Sequence, residues 1–183
     1  MSNIPIFRFE EVEIDIIDGD RGNHYPKKTE LLKNGGYCIF LNTGNITKTG
    51  FNFDNVEFIS KKKNQKLRKG LASRGDIILT TRGTVGNVAY FNDSVPYRNI
   101  RINSGMVLLR VNINELNAYY LYCFLRSDPF KKQVILNGSG SAQPQLPIAA
   151  LHNISLPIPS LIEQKKIVSV ISPLDKKIEL LRP

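Results

Sequence analysis

Two arginines stand where a side chain can approach a partner closely. Arg21 lies in Asp18-Gly-Asp-Arg-Gly22 and Arg82 in Thr80-Thr-Arg-Gly-Thr84, each beside a glycine in a turn-rich stretch. A guanidinium offers a planar fork of donors that matches guanine O6 and N7 in the major groove, and glycine lets the backbone come near. Asp18 and Asp20 either accept from cytosine N4 or simply orient Arg21. A second group of cations is denser: Lys61, Lys62, Lys63, Lys66, Arg68, Lys69 and Arg74 fall within 14 residues that contain no acid. Such a run suits phosphate contact, where released counterions make affinity fall with salt; the plain alternative is a solvated loop. Lys27, Arg98 and Arg101 complete the candidate cations. Ser139 and Ser141, in the loop Asn137-Gly-Ser-Gly-Ser141, suit contact to a nucleic-acid backbone, unless that loop is only a linker.

Catalytic spacings fail on context. Glu163-Gln-Lys165 has the Glu-x-Lys spacing of a nuclease motif, but no Pro-Asp precedes it and a helix cap explains it better. Gly83-Thr-Val-Gly86 matches the GxxG of an RNA-binding loop that needs helices on both sides, and here strands are expected on both sides. There is no Walker phosphate cradle and no Asn-Pro-Pro-Tyr segment. His24 and His152 are far apart with no cysteine pair near either, so no metal site is assigned. The six acids from Glu10 to Asp20 alternate as one face of a strand does. The reading assigns no catalytic residue, metal or cofactor. A small nuclease stays as a distant alternative.

The elements that position these groups follow from periodicity. Glu11–Ile16 and Tyr37–Leu41 read as strands, as do Gly75–Thr80, Val88–Phe91 and Met106–Val111, with a turn at 81–86 between two of them. Thr43–Gly50 reads as a loop or hairpin. The period then changes: 117–126 reads as a buried helix and 128–136 as a second short one. The proline-punctuated stretch 143–159 reads as extended. Ser160 opens a terminal helix with the capping box Ser160-x-x-Glu163. In that helix Ile167, Ile171, Leu174, Ile178 and Leu181 follow a 4-3-4-3 spacing, a coiled-coil seam that needs another helix to cover it. Pro173 sits inside the run, so a kink or break is expected, with Ser172 able to cap a restarted helix.

Bulk properties set the frame. The chain has 183 residues with 25 Lys+Arg against 16 Asp+Glu, a formal charge of +9. A balance this basic points to a polyanionic partner, double-stranded DNA first. No run is long enough to span a membrane, the N-terminus lacks a signal pattern, and Cys38 and Cys123 each sit in an apolar run as reduced core thiols. A cytoplasmic location is expected.

Four stretches together resemble the specificity (S) subunit of type I restriction–modification enzymes: Asp18–Lys27, Gly75–Asn87, the loop Gly138–Gln143, and Leu156-Pro-Ile-Pro-Ser-Leu-Ile-Glu-Gln164 with its helix. The resemblance implies an α+β fold: a β-rich target recognition domain over residues 1–158, followed by a conserved spacer and dimerisation helix over 159–183. It implies a non-catalytic subunit that reads a few base pairs. A modification (methyltransferase) subunit would supply S-adenosylmethionine chemistry, and a restriction subunit ATP-driven translocation and cleavage. Such subunits hold two recognition domains and two long helices, so this chain resembles a half subunit or a fragment of a longer one. A homodimer with antiparallel helices would rebuild the pair and read a symmetric, split site. The alternative from another class is a stand-alone DNA-binding regulator dimerised by the helix.

Overall fold

The computed structural model describes residues 4–139 and 144–181. Its centre is a four-stranded antiparallel sheet in the order β2 (Ile14–Asp18), β10 (Met106–Val111), β7 (Ile77–Thr80), β8 (Val88–Tyr90). A strand's alternate side chains point to opposite faces, and here both faces are covered. Ile77, Leu79, Val88, Val107 and Leu109 enter a core with the helices α2 (Ala118–Leu125) and α3 (Asp128–Asn137). Ile78, Ala89, Met106 and Leu108 enter a second core against a three-stranded sheet, in the order β6 (Phe58–Ile59), β3 (Cys38–Leu41), β9 (Ile100–Ile102). Burial on both faces explains why β7 and β10 read as continuous apolar runs, while β2 at the sheet edge alternates.

The three-stranded sheet alternates in the same way. Ile39 and Leu41 face the central sheet, while Cys38 and Phe40 face outward into a small cluster with Ile59 and Leu67. The short helix α1 (Lys61–Lys66) lies over that outer face, capped by the Ser60 hydroxyl, which accepts from the Lys63 N–H at 3.1 Å. The sequence assigns no helix there; a solvated loop is the plain alternative to phosphate contact. Other differences are local. The predicted strand from Glu11 begins only at Ile14, because Phe9–Glu11 form a 3-10 turn that buries Phe9. The stretch 143–159 is not wholly extended: α4 (Ile148–His152) folds to bury Leu151, and β11 (Ser155–Pro157) pairs with β1 (Ile6–Arg8), a strand the alternation did not mark. The pair β4 (Ile46–Thr47) and β5 (Gly50–Phe51) forms the hairpin read between 43 and 50. Both cysteines are free, and burial pushes their thiols up, Cys38 to about 12 and Cys123 to about 11, so neither is a ready nucleophile.

The helix α5 (Leu161–Leu180) closes the chain and packs against α2. It runs unbroken through Pro173, which corrects the expected break and the restart at Ser172. The cost falls on the Ser169 carbonyl, which loses its usual helical donor because proline has no N–H. No helix among the described residues is long and apolar enough to cross a membrane.

Candidate nucleic-acid interface

The strand directions bring several loops to one end of the two sheets. β2 ends at Asp18 opposite Val107, β7 ends at Thr80 opposite Met106, and β3 and β9 run parallel and end together at Leu41 and Ile102. The segments 18–24, 42–45, 81–87 and 103–105 therefore meet. Backbone hydrogen bonds lock them: Asn103 N–H donates to Leu41 O at 3.0 Å, and Thr81 and Arg82 N–H donate to Gly105 O at 2.8 and 3.1 Å. Gly19 is obligatory, since a Cβ there would lie 2.0 Å from the Asn103 carbonyl oxygen. Ser139 and Gln145 exchange two backbone hydrogen bonds, and Leu146 N–H donates to Thr81 O at 2.9 Å, so the chain around the Gly/Ser loop joins the same end. Ser141 lies outside the described residues.

Arg21 and Arg82 share one cleft here, of about 230 Å³, with Asp18 and Gln145 in its wall. Asp18 orients Arg21: the Arg21 Nη2 donates to Asp18 Oδ1 and to Ser104 O, both at 3.2 Å. Asp20 has a different task. It is buried and accepts from Gly22 N–H at 2.7 Å and Arg68 N–H at 2.7 Å, tying loop 18–24 to the segment after α1. Burial pushes its carboxyl up, but the N–H groups of Gly22, Arg68 and Lys69, with the Arg101 charge, outweigh that and hold it below its ordinary value.

The candidate cations divide into two groups. Lys61, Lys62, Arg68, Arg82, Arg98 and Lys27 are exposed, as are Lys66 and Lys69. From Lys61 to Lys69, only Lys63 has an ion-pair partner among the described residues: its ammonium meets Glu30 at 2.7 Å and donates to His24 O at 3.2 Å. Lys63 thereby fixes loop 18–30 to α1, and Lys61 lies over the Tyr37 ring. Arg101 leaves the candidate set. It is 4% exposed on the outer face of β9, and its guanidinium donates to Asn64 Oδ1 at 2.8 Å, to Asn64 O at 3.1 Å and to Lys69 O. The signal was available, because Ile100-Arg101-Ile102 alternates in a strand covered on both faces. Arg74 stays exposed but is also engaged, donating to the Asn92, Val95 and Tyr97 carbonyls over the Phe91 ring.

At the opposite side α5 is fastened by residues that the periodicity did not single out. Gln164 is fully buried; its Oε1 accepts from Asn117 N–H at 2.8 Å and its Nε2 donates to Pro159 O at 2.9 Å and Glu115 O at 3.3 Å. Glu163 closes the capping box, accepting from the Ser160 N–H at 3.0 Å and hydroxyl at 2.7 Å, which engages the carboxylate of the nuclease-like spacing. Farther along, Asp175 accepts from Tyr119 Oη at 2.8 Å and from Arg126 Nη1 and Nη2 at 2.5 and 3.0 Å. A larger groove of about 610 Å³ lies beside this cluster, lined by Tyr90, Tyr119, Tyr122, Phe51 and Phe53, with the Arg126–Asp175 pair already joined in it. The heptad residues point elsewhere. Ile167, Leu174, Ile178 and Leu181 are exposed, Leu174 at 57% and Leu181 at 75%, while Ile171 is half-buried at the border and Val170 extends the open stripe.

A β-rich α+β domain with unpaired cations beside converging loops, and its best-placed carboxylates spent on caps and ion pairs, has the build of a binding module. Its family follows from comparison. The family model described as "Type I restriction modification DNA specificity domain" matches residues 9–182, and the chain belongs to that family. It is similar to the Type I restriction enzyme HindI specificity subunit of Haemophilus influenzae, with 27% identity across 78% of this chain and 31% of the relative. It is also similar to the Type I restriction enzyme MjaVIII specificity subunit of Methanocaldococcus jannaschii, with 25% identity across 92% of this chain and 39% of the relative. A crystal structure of the type I restriction–modification S subunit from M. genitalium shares the fold, with a TM-score of 0.69 and 17% identity over 99% of this chain and 42% of that one. The chain thus spans between about a third and two fifths of the relatives it matches.

Proposed function

We propose that this chain is the non-catalytic, sequence-reading part of a type I restriction–modification complex, working in the cytoplasm on double-stranded DNA. Residues 1–158 act as the target recognition domain. The sheet-end loops carrying Arg21, Arg82 and Ser139 enter a groove, and Lys27, Lys61, Lys62, Arg68 and their neighbours contact phosphates. Residues 159–183 act as the spacer. The exposed stripe of α5 pairs as a coiled coil with a second copy, and the helices present the modification and restriction subunits with a docking surface. The observation that carries this reading is the convergence of the loops after β2, β3, β7 and β9 beside a run of unpaired cations. The test is purification of the full chain with its modification subunit, followed by duplex binding. Co-purification and binding of a defined duplex are expected; failure to bind any duplex, with the subunit present, overturns the proposal. A second reading, a regulator dimerised by α5, draws on the same exposed stripe. It requires tight, specific binding by the chain alone and no association with a modification subunit.

A further inference from the structure

Resting on that DNA-reading proposal, we infer that Arg82 is the residue that reads a guanine, while its neighbour Arg21 holds the cleft in shape. Among the described residues three arginines leave their guanidinium without a hydrogen bond or ion pair, Arg68, Arg82 and Arg98, and of these only Arg82 lines the cleft where the sheet-end loops meet. Its backbone is fixed. The N–H groups of Thr81 and Arg82 converge on Gly105 O, the Thr81 hydroxyl donates to the same oxygen at 3.1 Å, and Arg82 bridges to Gln145. Gly83 and Gly86, at φ +69° and +91°, turn the chain sharply just behind it. A free donor fork on an immobile backbone is what bidentate readout requires.

Arg21 is differently placed. Its Nη2 meets both Asp18 oxygens, at 3.2 and 3.1 Å, and Ser104 O at 3.2 Å. That nitrogen is committed to joining loop 18–24 to the turn 103–105, so Arg21 does not offer both Nη groups to a base. Guanine is the base whose major-groove edge presents two acceptors, O6 and N7, to a fork. The half-site therefore contains a guanine whose replacement weakens binding about 10- to 100-fold.

The experiment enriches duplexes from a random-sequence pool on the full chain together with its modification subunit, then measures a panel of single base-pair changes at several salt concentrations. The chains compared are wild type, Arg82→Ala, Arg82→Lys and Arg21→Ala, with thermal melting to follow folding. Arg82→Ala is expected to erase the preference at one guanine position and leave the salt slope unchanged. Arg82→Lys keeps affinity for random duplex and loses the same preference, because an ammonium has no fork. Arg21→Ala weakens all duplexes together. The inference is overturned if Arg82→Ala weakens every duplex equally and lowers the log–log slope by about one, the mark of a phosphate contact. It is also overturned if the preference survives Arg82→Ala, or if the enriched sites share no guanine. A wild-type complex with its modification subunit that enriches nothing fails the DNA-reading proposal itself, and this inference with it.

Discussion

At the loop end, segments from distant parts of the chain are pinned chiefly by their backbone N–H groups, and several cationic side chains are left open: Gly105 O takes two N–H groups, Asp20 takes those of Gly22 and Arg68, and Arg82 stays unengaged. At the helix end the fastening is made by side chains, Gln164 and Asp175, and the part left open is apolar, from Ile167 to Leu181. Each end is fastened at some residues and open to solvent at others. A polar, cationic opening suits a polyanion, and an apolar heptad stripe suits another helix. The contrast also separates arginines by task. Arg101 and Arg82 have the same side chain, yet one is consumed inside the protein and the other is left open to solvent.

The most disruptive way to probe this contrast is Arg101→Met. It strands the Asn64 Oδ1, the buried Asn64 carbonyl and the part-buried Lys69 carbonyl, and leaves Asp20 without its neighbouring charge, at an expected loss of about 3 kcal/mol in denaturant unfolding. Arg82→Ala, by comparison, should change stability by no more than about 0.5 kcal/mol. Next is Gln164→Leu, which leaves Asn117 N–H and the Pro159 and Glu115 carbonyls unsatisfied. A loss of about 2 kcal/mol is expected, with hydrogen exchange rising first at 159–165. Leu174→Asp should spare the melting temperature but raise the dissociation constant for self-association about tenfold or more in sedimentation experiments. The smallest effect is on pH. Asp20 has a lower pKa folded than unfolded, so its contribution is complete above its ordinary value of 3.8 and is lost as pH falls through the lower folded value. Hydrogen exchange at residues 67–70 should therefore rise in that acid range, and Asp20→Asn should remove the rise.

Much of this arrangement was legible in the sequence, and the gaps have physical causes. The central strands and α2, α3 and α5 announced themselves because their apolar periods are long. The pairing of Arg21 with Asp18 was within reach because both lie in one turn. The failures came where distant packing decides. α1 was hidden because its lysines carry no apolar period, and only Asn64 and Leu67 are buried around it. β1 was hidden because its three side chains are exposed and its partner is far along the chain. Arg101 was misassigned because charge was read before strand context. Pro173 was expected to kink or break α5, yet the helix stays unbroken across it, with Val168 packed on the core on one side and Asp175 tied to Tyr119 and Arg126 on the other.

The central claim is that the open cations beside the loop end meet DNA phosphates. The direct measurement is duplex affinity against salt for the full chain and for a variant with Lys62, Lys66 and Arg68 all changed to alanine. The wild-type log–log slope should be several units, and the variant's smaller by about two to three, since each lost phosphate contact removes about 0.9, with unchanged melting. An identical slope in the two proteins would contradict the account.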